Sequence, residues 1–354
     1  MSALVRVERR GSLGLIVLDR PERINALNLE MLRAIETKLI EWSTDSSLGV
    51  VFIYGEGDRG FCAGGDVRTI CENLVEKGPQ YGEETFASEY RIDFLIRTFP
   101  KPVVIWGHGA IMGAGLGLYV SGSTRLLMEN ANLAMPEVMI GLFPDVGASF
   151  FLSRLERGVG FFIALVALRL STADAIKVGL ADFVVKEEKR ESLMEDLERI
   201  PERSGPARID EICSAYAIAP GPGELASRLD RVQEIISSSN LYEELAELAT
   251  SSDSWWSDAG KNFLQASPTS IKITEEAFKR ARVNSLADCF RQDLTMVAQC
   301  MRHHDFFEGV RARLIDRDGK PKWNPDRISE IPEELVLKHF DPPWKGMHPL
   351  SDLE

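Results

Sequence analysis

Hydrophobic and polar positions follow two different spacings along the first two hundred residues. Short apolar runs over 13–18, 50–54 and 103–106 are rich in β-branched and aromatic residues, which predicts buried strands. After Asn28, apolar residues recur every three or four positions, which predicts a helix capped by that asparagine. These positions are Met31, Leu32, Ile35, Leu39 and Trp42. Strands that alternate with helices in this way favour a layered α/β fold with parallel strands.

The pattern changes after about residue 190. Strand-like runs become scarce, amphipathic helical spacing dominates, and Pro201, Pro206, Pro220 and Pro222 interrupt the chain. We therefore predict a core domain over residues 1–200 and a helical region over residues 201–354, which ends in a turn-rich tail.

The composition is that of an ordinary globular protein. The chain has 354 residues, of which 44% are hydrophobic and 27% are charged, so it can bury a large core. Its formal net charge of -13 argues against nucleic-acid or anionic-membrane partners, because such partners select a basic surface.

Three sequence signals bear on the cellular compartment. No apolar run approaches the roughly 20 residues of a membrane span, and the first ten residues pass directly into a strand-like pattern. The five cysteines are scattered and form no CxxC motif, which indicates reduced thiols. We expect a cytoplasmic protein without a membrane partner.

Two acids, Glu137 and Asp145, stand eight residues apart in the otherwise almost entirely apolar stretch 135–147. An ionised carboxylate is costly to desolvate unless it is paired or hydrogen-bonded, so acids kept in an inward-facing segment indicate an acid/base site. The alternatives for each residue are a helix N-terminal cap and a buried ion pair.

Glycine-rich stretches at 64–65 and 107–117 suggest a second chemical feature. The longer stretch lacks the spacing of a dinucleotide-binding loop, and no Gly-Lys-Ser/Thr of a P-loop occurs. Residues 113–115 instead open a predicted helix, whose free backbone N–H groups can point at an oxyanion, and residues 64–65 could supply a second donor. Tight packing of helix against strand is the alternative for both stretches.

Four short motifs occur in a fixed order along the chain. They are Asn-Ala-Leu-Asn at 25–28, Phe-Cys-Ala-Gly-Gly-Asp at 61–66, Gly-Ala-Gly-Leu-Gly at 113–117 and Ser-Pro-Thr-Ser at 267–270. This ordered set resembles the crotonase (enoyl-CoA hydratase/isomerase) superfamily. A second set consists of residues 134–137, 140–147, 300–312 and Pro-Lys-Trp at 321–323. This set is similar to the 3-hydroxyisobutyryl-CoA hydrolase branch of the superfamily. The resemblance extends from about residue 10 to 325.

This resemblance implies a spiral of ββα units with two roughly perpendicular sheets and a C-terminal helical region, instead of a doubly wound sheet. It also implies an acyl-CoA substrate, whose thioester oxygen accepts hydrogen bonds from the backbone N–H groups of Gly65 and Ala114. Relatives commonly carry glycine where this chain has Ala114. Because the donor is a main-chain N–H, alanine preserves it.

The resemblance assigns roles to three acids. Glu137 either activates water or attacks the thioester to form a transient anhydride, and the sequence leaves both routes open. Asp145 is expected to bind the substrate 3-hydroxyl, or to hold the water and pass a proton to the thiolate. Glu89 is expected to contact the substrate from a helix, with a solvated helix face as the alternative.

Hydrolysis of a short-chain 3-hydroxyacyl-CoA is therefore the predicted activity, with 3-hydroxyisobutyryl-CoA of valine breakdown as the leading substrate. A hydratase or isomerase is the first alternative, but hydratases rely on a second glutamate just after the glycine-rich helix start, where residues 116–118 are Leu-Gly-Leu. A catalytically silent acyl-CoA binder is the second alternative. Such a protein is expected to have lost one of the two acids, and this chain retains both Glu137 and Asp145.

The resemblance also bears on cofactors and assembly. We expect no cofactor, because coenzyme A is part of the substrate. We also expect no metal, because His303 and His304 would diverge on a helix. Crotonase relatives often form trimers or hexamers, so a homo-oligomer is one expectation. The alternative expectation is that the long C-terminal region covers the same surface within one chain.

Overall fold

A computed structural model of the protein describes residues 3–201 and 204–354. The strands are β1 Val5–Arg10, β2 Leu13–Leu18, β3 Val50–Gly55, β4 Val103–Gly107, β5 Ala110–Met112, β6 Thr124–Met128, β7 Asn132–Ala134, β8 Leu170–Ser171 and β9 Phe183–Val185. The helices before residue 200 are α1 Leu29–Ser43, α2 Val67–Lys77, α3 Pro79–Arg97, α4 Ala114–Ser121, α5 Ala148–Leu152, α6 Val159–Leu165, α7 Thr172–Lys177 and α8 Arg190–Glu198. Those after it are α9 Pro206–Ser214, α10 Leu229–Ile236, α11 Leu241–Glu247, α12 Ser254–Gln265, α13 Pro268–Ala281, α14 Leu286–Cys300, α15 His304–Val310 and α16 Glu333–Lys338.

The chain forms two compact units, each assembled from three separate stretches. The first unit contains residues up to 65, 91–133 and 170–226, and the second contains 66–90, 134–169 and 227–354. The division of the chain near residue 200 stays a prediction about its domain organisation.

The first unit is built on a six-stranded sheet with the strand order β1-β2-β3-β4-β6-β9. β1 and β2 pair antiparallel, and the remaining neighbours pair parallel. β2, β3 and β4 are buried along their whole length, as parallel strands covered on both faces are. The parallel α/β architecture predicted from the apolar runs is therefore confirmed.

A smaller sheet of three strands, in the order β5-β7-β8, also forms. Two sheets are what the crotonase-like fold implies. After β9, the described elements of the chain are helices, in agreement with the predicted helical C-terminal region.

One large hydrophobic cluster lies in the first unit, between the six-stranded sheet and helices α8 and α9. Leu15, Phe52 and Trp106 come from neighbouring strands, and Leu197 and Ile209 come from the helices. All five side chains are almost completely removed from solvent, which makes this cluster a main source of the hydrophobic stabilisation of the unit.

In the second unit, α15 packs against a short 3-10 helix, Glu137–Ile140. Two glycines permit the close approach. A Cβ atom at Gly141 would overlap the carbonyl oxygen of Asp305, and one at Gly309 would overlap the backbone of Ile140. This packing fixes the 3-10 helix that carries Glu137.

Hydrogen bonds reinforce the same packing. Ser267 caps α13 by accepting from the N–H of Ser270, and its own N–H donates to the carbonyl of Val138 at 2.9 Å. The Ser267 hydroxyl donates to Asp305 at 2.6 Å, which links α13 to α15. No helix in the described ranges is both long enough and apolar enough to cross a membrane.

Candidate active site

Glu137 is the first residue of the 3-10 helix that follows β7. The carbonyl of Glu137 accepts from the N–H of Leu142, which closes the short helix behind the side chain. The side chain is buried, and within the described residues its Oε2 atom has no hydrogen-bond partner. A buried carboxyl oxygen left without a partner is costly to a fold, and such oxygens are concentrated at functional sites.

Asp145 lies in a turn that leads into α5. Its carboxylate Oδ2 accepts a hydrogen bond from the phenolic hydroxyl of Tyr90 at 2.6 Å. Its backbone carbonyl accepts from the N–H of Ala148 at 2.8 Å, which closes the turn. Asp145 and Tyr90 are both buried, so the hydrogen bond is made away from water.

Burial perturbs the pKa of both carboxyls, Glu137 and Asp145, which we call the acid pair. Burial raises the pKa of Glu137 well above its usual range, and the charge of Asp145 raises it further. Burial also raises the pKa of Asp145 to about 6, although the Tyr90 hydrogen bond opposes this rise. Because the two groups interact, their protons leave in two steps that belong to the pair, and between these steps the pair holds one proton and one negative charge. Such a pair can act as a base and an acid in one reaction.

Glu89 belongs to α3 and is 2% exposed. The plain solvated helix face is therefore not its environment. Its charge contributes to raising the pKa of the adjacent Tyr90, after burial and the charges of Asp145 and Asp293, so that tyrosine stays a proton donor. The contact of Glu89 with substrate stays a prediction.

Asp293, a further buried acid, was missed by reasoning from the sequence. It comes from α14, is completely buried, and accepts the N–H of Gly147 at 2.8 Å. Burial and the charge of Asp145 raise its pKa well above the usual range. A signal was present, because Asp293 lies at helical spacing on the buried face of α14 with Phe290, Leu294 and Val297. Tyr90 carried no comparable signal.

Gly65 and Ala114 both belong to the first unit. Gly65 forms a parallel bridge with Leu27, and a Cβ atom at the preceding Gly64 would lie 3.6 Å from the backbone nitrogen of Ala114. The loop at 64–65 therefore runs beside the start of α4. The first-turn N–H groups of a helix have no partner within that helix, so the amide of Ala114 suits an oxyanion.

The backbone around these amides is shaped by neighbouring residues. Gly113 precedes α4 with φ +50° and ψ -122°, a conformation that side chains disfavour. A Cβ atom at Gly115 would overlap the carbonyl oxygen of Cys62. The buried side-chain amide of Asn25 donates hydrogen bonds to the carbonyls of Glu56, Gly60 and Phe61. The motif at 25–28 therefore holds the chain that leads into the 64–65 loop.

Residues 116–118 lie buried in α4 and carry no acid. The second glutamate that a hydratase uses after the glycine-rich turn therefore has no counterpart in this helix. His303 is the N-cap of α15, and its Nδ1 atom accepts a hydrogen bond from the N–H of Asp305. Within the described part of the chain, no group of three or more His, Cys, Asp or Glu side chains is arranged to hold a metal ion.

Comparison with known proteins identifies the family. The sequence model of the family described as "Enoyl-CoA hydratase/isomerase" matches residues 13–340. The chain is 37% identical over 340 residues to the mitochondrial 3-hydroxyisobutyryl-CoA hydrolase of Danio rerio, covering 95% of this chain and 89% of that protein. It is 36% identical over 341 residues to the human protein of the same name, covering 95% and 88%.

A solved structure with a similar fold is a carnitinyl-CoA dehydratase from Mycobacterium thermoresistibile. It has a TM-score of 0.87 and 32% sequence identity, with 96% of this chain and 97% of that chain covered. The fold predicted from the resemblance is thereby confirmed.

The prediction of a cytoplasmic location is wrong by the same comparison. The zebrafish and human relatives are both named as mitochondrial proteins. Reduced thiols and the lack of a long apolar run are shared by cytoplasmic and mitochondrial proteins, so these signals could not separate the two compartments.

Proposed function

Because the chain belongs to the enoyl-CoA hydratase/isomerase family, we propose that it hydrolyses a short-chain 3-hydroxyacyl-CoA thioester. The leading substrate is 3-hydroxyisobutyryl-CoA, which is the substrate in the printed names of the zebrafish and human relatives. The observation that carries the proposal is the acid pair, in which both carboxyls are buried and the charge of Asp145 raises the pKa of Glu137. The reaction needs no cofactor, since coenzyme A is part of the substrate.

The chemistry uses the proton and the charge of the acid pair. Water adds to the thioester carbonyl carbon as its proton passes to a carboxylate of the pair. The C–S bond then breaks, and the coenzyme A thiolate takes a proton from the pair. The N–H groups of Gly65 and Ala114 are the proposed donors to the oxyanion that forms on the carbonyl oxygen. Glu89 is proposed to contact the acyl group of the substrate as well.

A second route assigns Glu137 as the nucleophile. Its carboxylate attacks the thioester carbon, the thiol leaves after protonation, and water then hydrolyses the resulting anhydride. A single turnover in oxygen-labelled water tests the anhydride route. Label in Glu137 establishes the anhydride, because direct attack by water on the thioester places label in the product alone.

A hydratase or dehydratase is the second candidate function, since the M. thermoresistibile structure carries a dehydratase name. The leucines and glycine at 116–118 count against it, because a second acid is absent from α4 at this position. A thiol-release assay over short 3-hydroxyacyl-CoA and enoyl-CoA thioesters separates the candidates. Free thiol from the 3-hydroxyacyl thioesters supports hydrolysis, and interconversion of the two thioesters without free thiol supports hydration.

A further inference from the structure

The turn that presents Asp145 is strained. Val146 has φ +51° and Gly147 has φ +75°, so two consecutive residues adopt the left-handed conformation. A β-branched residue disfavours this conformation, because its Cβ atom comes too close to the following carbonyl oxygen. Val146 is also fully buried, so its side chain is held by the surrounding protein. A strained turn persists where neighbouring groups hold it in place.

Helix α14 supplies those neighbouring groups. The Asp293 carboxylate accepts the N–H of Gly147 at 2.8 Å, directly after the strained valine. Phe290, one turn earlier on α14, lies beneath Gly147, where an added Cβ atom would come 3.2 Å from its ring. The same ring lies 5.9 Å from the ring of Tyr90, the residue that donates to Asp145. One helix thus supports the backbone of Asp145 and also the donor to its side chain.

We propose that Asp293 is a positioning residue for Asp145, which it aims by holding the N–H of Gly147 in the strained turn. The proposal rests on the function proposed above. In this role the carboxyl of Asp293 takes no part in the reaction itself. Within the described residues its second oxygen, Oδ1, has no hydrogen-bond partner, so the bond to Gly147 is the directional contact that it makes.

A carboxyl in this place has a cost that an apolar residue would not have. Burying a polar group is unfavourable unless hydrogen bonds replace those that it made with water. Asp293 offsets part of this cost through one short bond, and the charge of Asp145 favours its neutral, protonated form. A leucine at this position would pack in a similar volume but would leave the Gly147 N–H without an acceptor.

The test compares two substitutions. Asp293→Asn keeps an oxygen that can accept the Gly147 N–H, whereas Asp293→Leu removes it. We expect Asp293→Leu to lower kcat about 30- to 100-fold with KM changed less than about threefold, because a misplaced catalytic group costs rate more than binding. We expect Asp293→Asn to stay within about threefold of the wild type. Thr295→Val, which removes a buried hydroxyl on the same helix, is the matched control and should leave kcat unchanged.

Two outcomes overturn the proposal. Wild-type kcat in Asp293→Leu would show that the turn needs no support from α14. Equal losses of kcat in both variants would show that the carboxyl itself is required. If Asp293→Leu does not fold, a large loss of kcat in Asp293→Asn alone overturns the proposal.

A second readout separates failure of this inference from failure of the proposed function. A carbon-13 NMR titration of Asp145 needs no substrate. Loss of the Tyr90 hydrogen bond would raise the pKa of Asp145 in Asp293→Leu, since this bond lowers it in the wild type. An unchanged titration in Asp293→Leu contradicts the positioning role even if the substrate proves to be a different thioester.

Discussion

The hydroxyl of Tyr90 donates a 2.6 Å hydrogen bond to the Oδ2 atom of Asp145, and both residues are buried. The bond favours the charged carboxylate and therefore opposes the increase in pKa that burial imposes on Asp145. It keeps the carboxylate available near neutral pH in a site that would otherwise protonate it.

Removing this donor should shift the pH dependence of hydrolysis. Tyr90→Phe is expected to raise the pKa of Asp145, so that the acidic limb of the kcat profile moves to higher pH. The loss should be greatest near pH 6 and small at about pH 8, where the carboxylate is ionised in both proteins. Tyr216→Phe, which removes an exposed hydroxyl bonded to Asp196, is the control. An unshifted profile in Tyr90→Phe would contradict the assigned role.

Replacing the central acid should stop the chemistry but leave binding intact. Glu137→Gln retains the shape of the side chain but cannot take a proton from water or attack the thioester. We expect kcat to fall by at least about a thousandfold while the Kd for free coenzyme A, measured by calorimetry, changes little. Wild-type thiol release from this variant would remove Glu137 from the mechanism.

Asp145→Asn should also slow hydrolysis by about two to three orders of magnitude, because the pair loses its second titrating group. The measurement is kcat at saturating substrate. A variant that raises only KM would assign Asp145 to substrate binding alone.

The same acid pair should reduce the stability of the fold at higher pH. The pKa of Asp145 is raised in the folded state, so the fold favours the protonated form of this residue. The contribution of Asp145 to the free energy of unfolding is therefore complete at low pH and is lost as pH rises through about 6. Asp145→Asn should therefore raise the free energy of unfolding above pH 7, by up to about 3 kcal/mol, and this gain should shrink toward pH 4.

Glu275 is a control of opposite sign. Hydrogen bonds from Lys279, Tyr242 and Lys272 outweigh its burial and lower its pKa to about 2. Its contribution is present above its unfolded pKa and is lost as pH falls toward 2. Glu275→Gln should therefore destabilise the protein at neutral pH. If both variants changed the denaturant midpoint in the same direction, the opposite electrostatic roles assigned to Asp145 and Glu275 would be wrong.

The oxyanion role of Ala114 can be tested by removing the hydrogen from its backbone nitrogen. Ala114 is the first residue of α4, a position at which proline fits a helix without loss of an internal hydrogen bond. Ala114→Pro should lower kcat by about a hundredfold to a thousandfold, whereas Ala114→Gly should retain most of the activity. Equal activity of the two variants would indicate that this N–H does not contact the thioester.

The sequence predicted the elements that repeat a clear spacing. Strands β2, β3 and β4 form where the apolar runs lie, and α1 begins at Leu29 with Asn28 as its cap. Strands β5, β7 and β8 have only two or three residues, so no periodicity marks them. Their pairing depends on contacts between distant segments, which a local pattern does not contain.

The candidate site shows the same limit. Glu137 and Asp145 stood out because they are acids in an apolar stretch, and their burial confirms that environment. Tyr90 and Asp293 lie 55 residues before and 148 residues after Asp145 in the sequence. Only the folded chain brings the tyrosine hydroxyl to Asp145, and the Asp293 carboxyl to Gly147.

The most direct test is a simultaneous assay of free thiol and substrate loss with purified protein and 3-hydroxyisobutyryl-CoA. We predict one free thiol for each thioester consumed, with no enoyl thioester formed, and loss of both signals in Glu137→Gln. Consumption of the substrate with formation of the enoyl thioester and without free thiol would contradict the account, because it would assign the acid pair to dehydration.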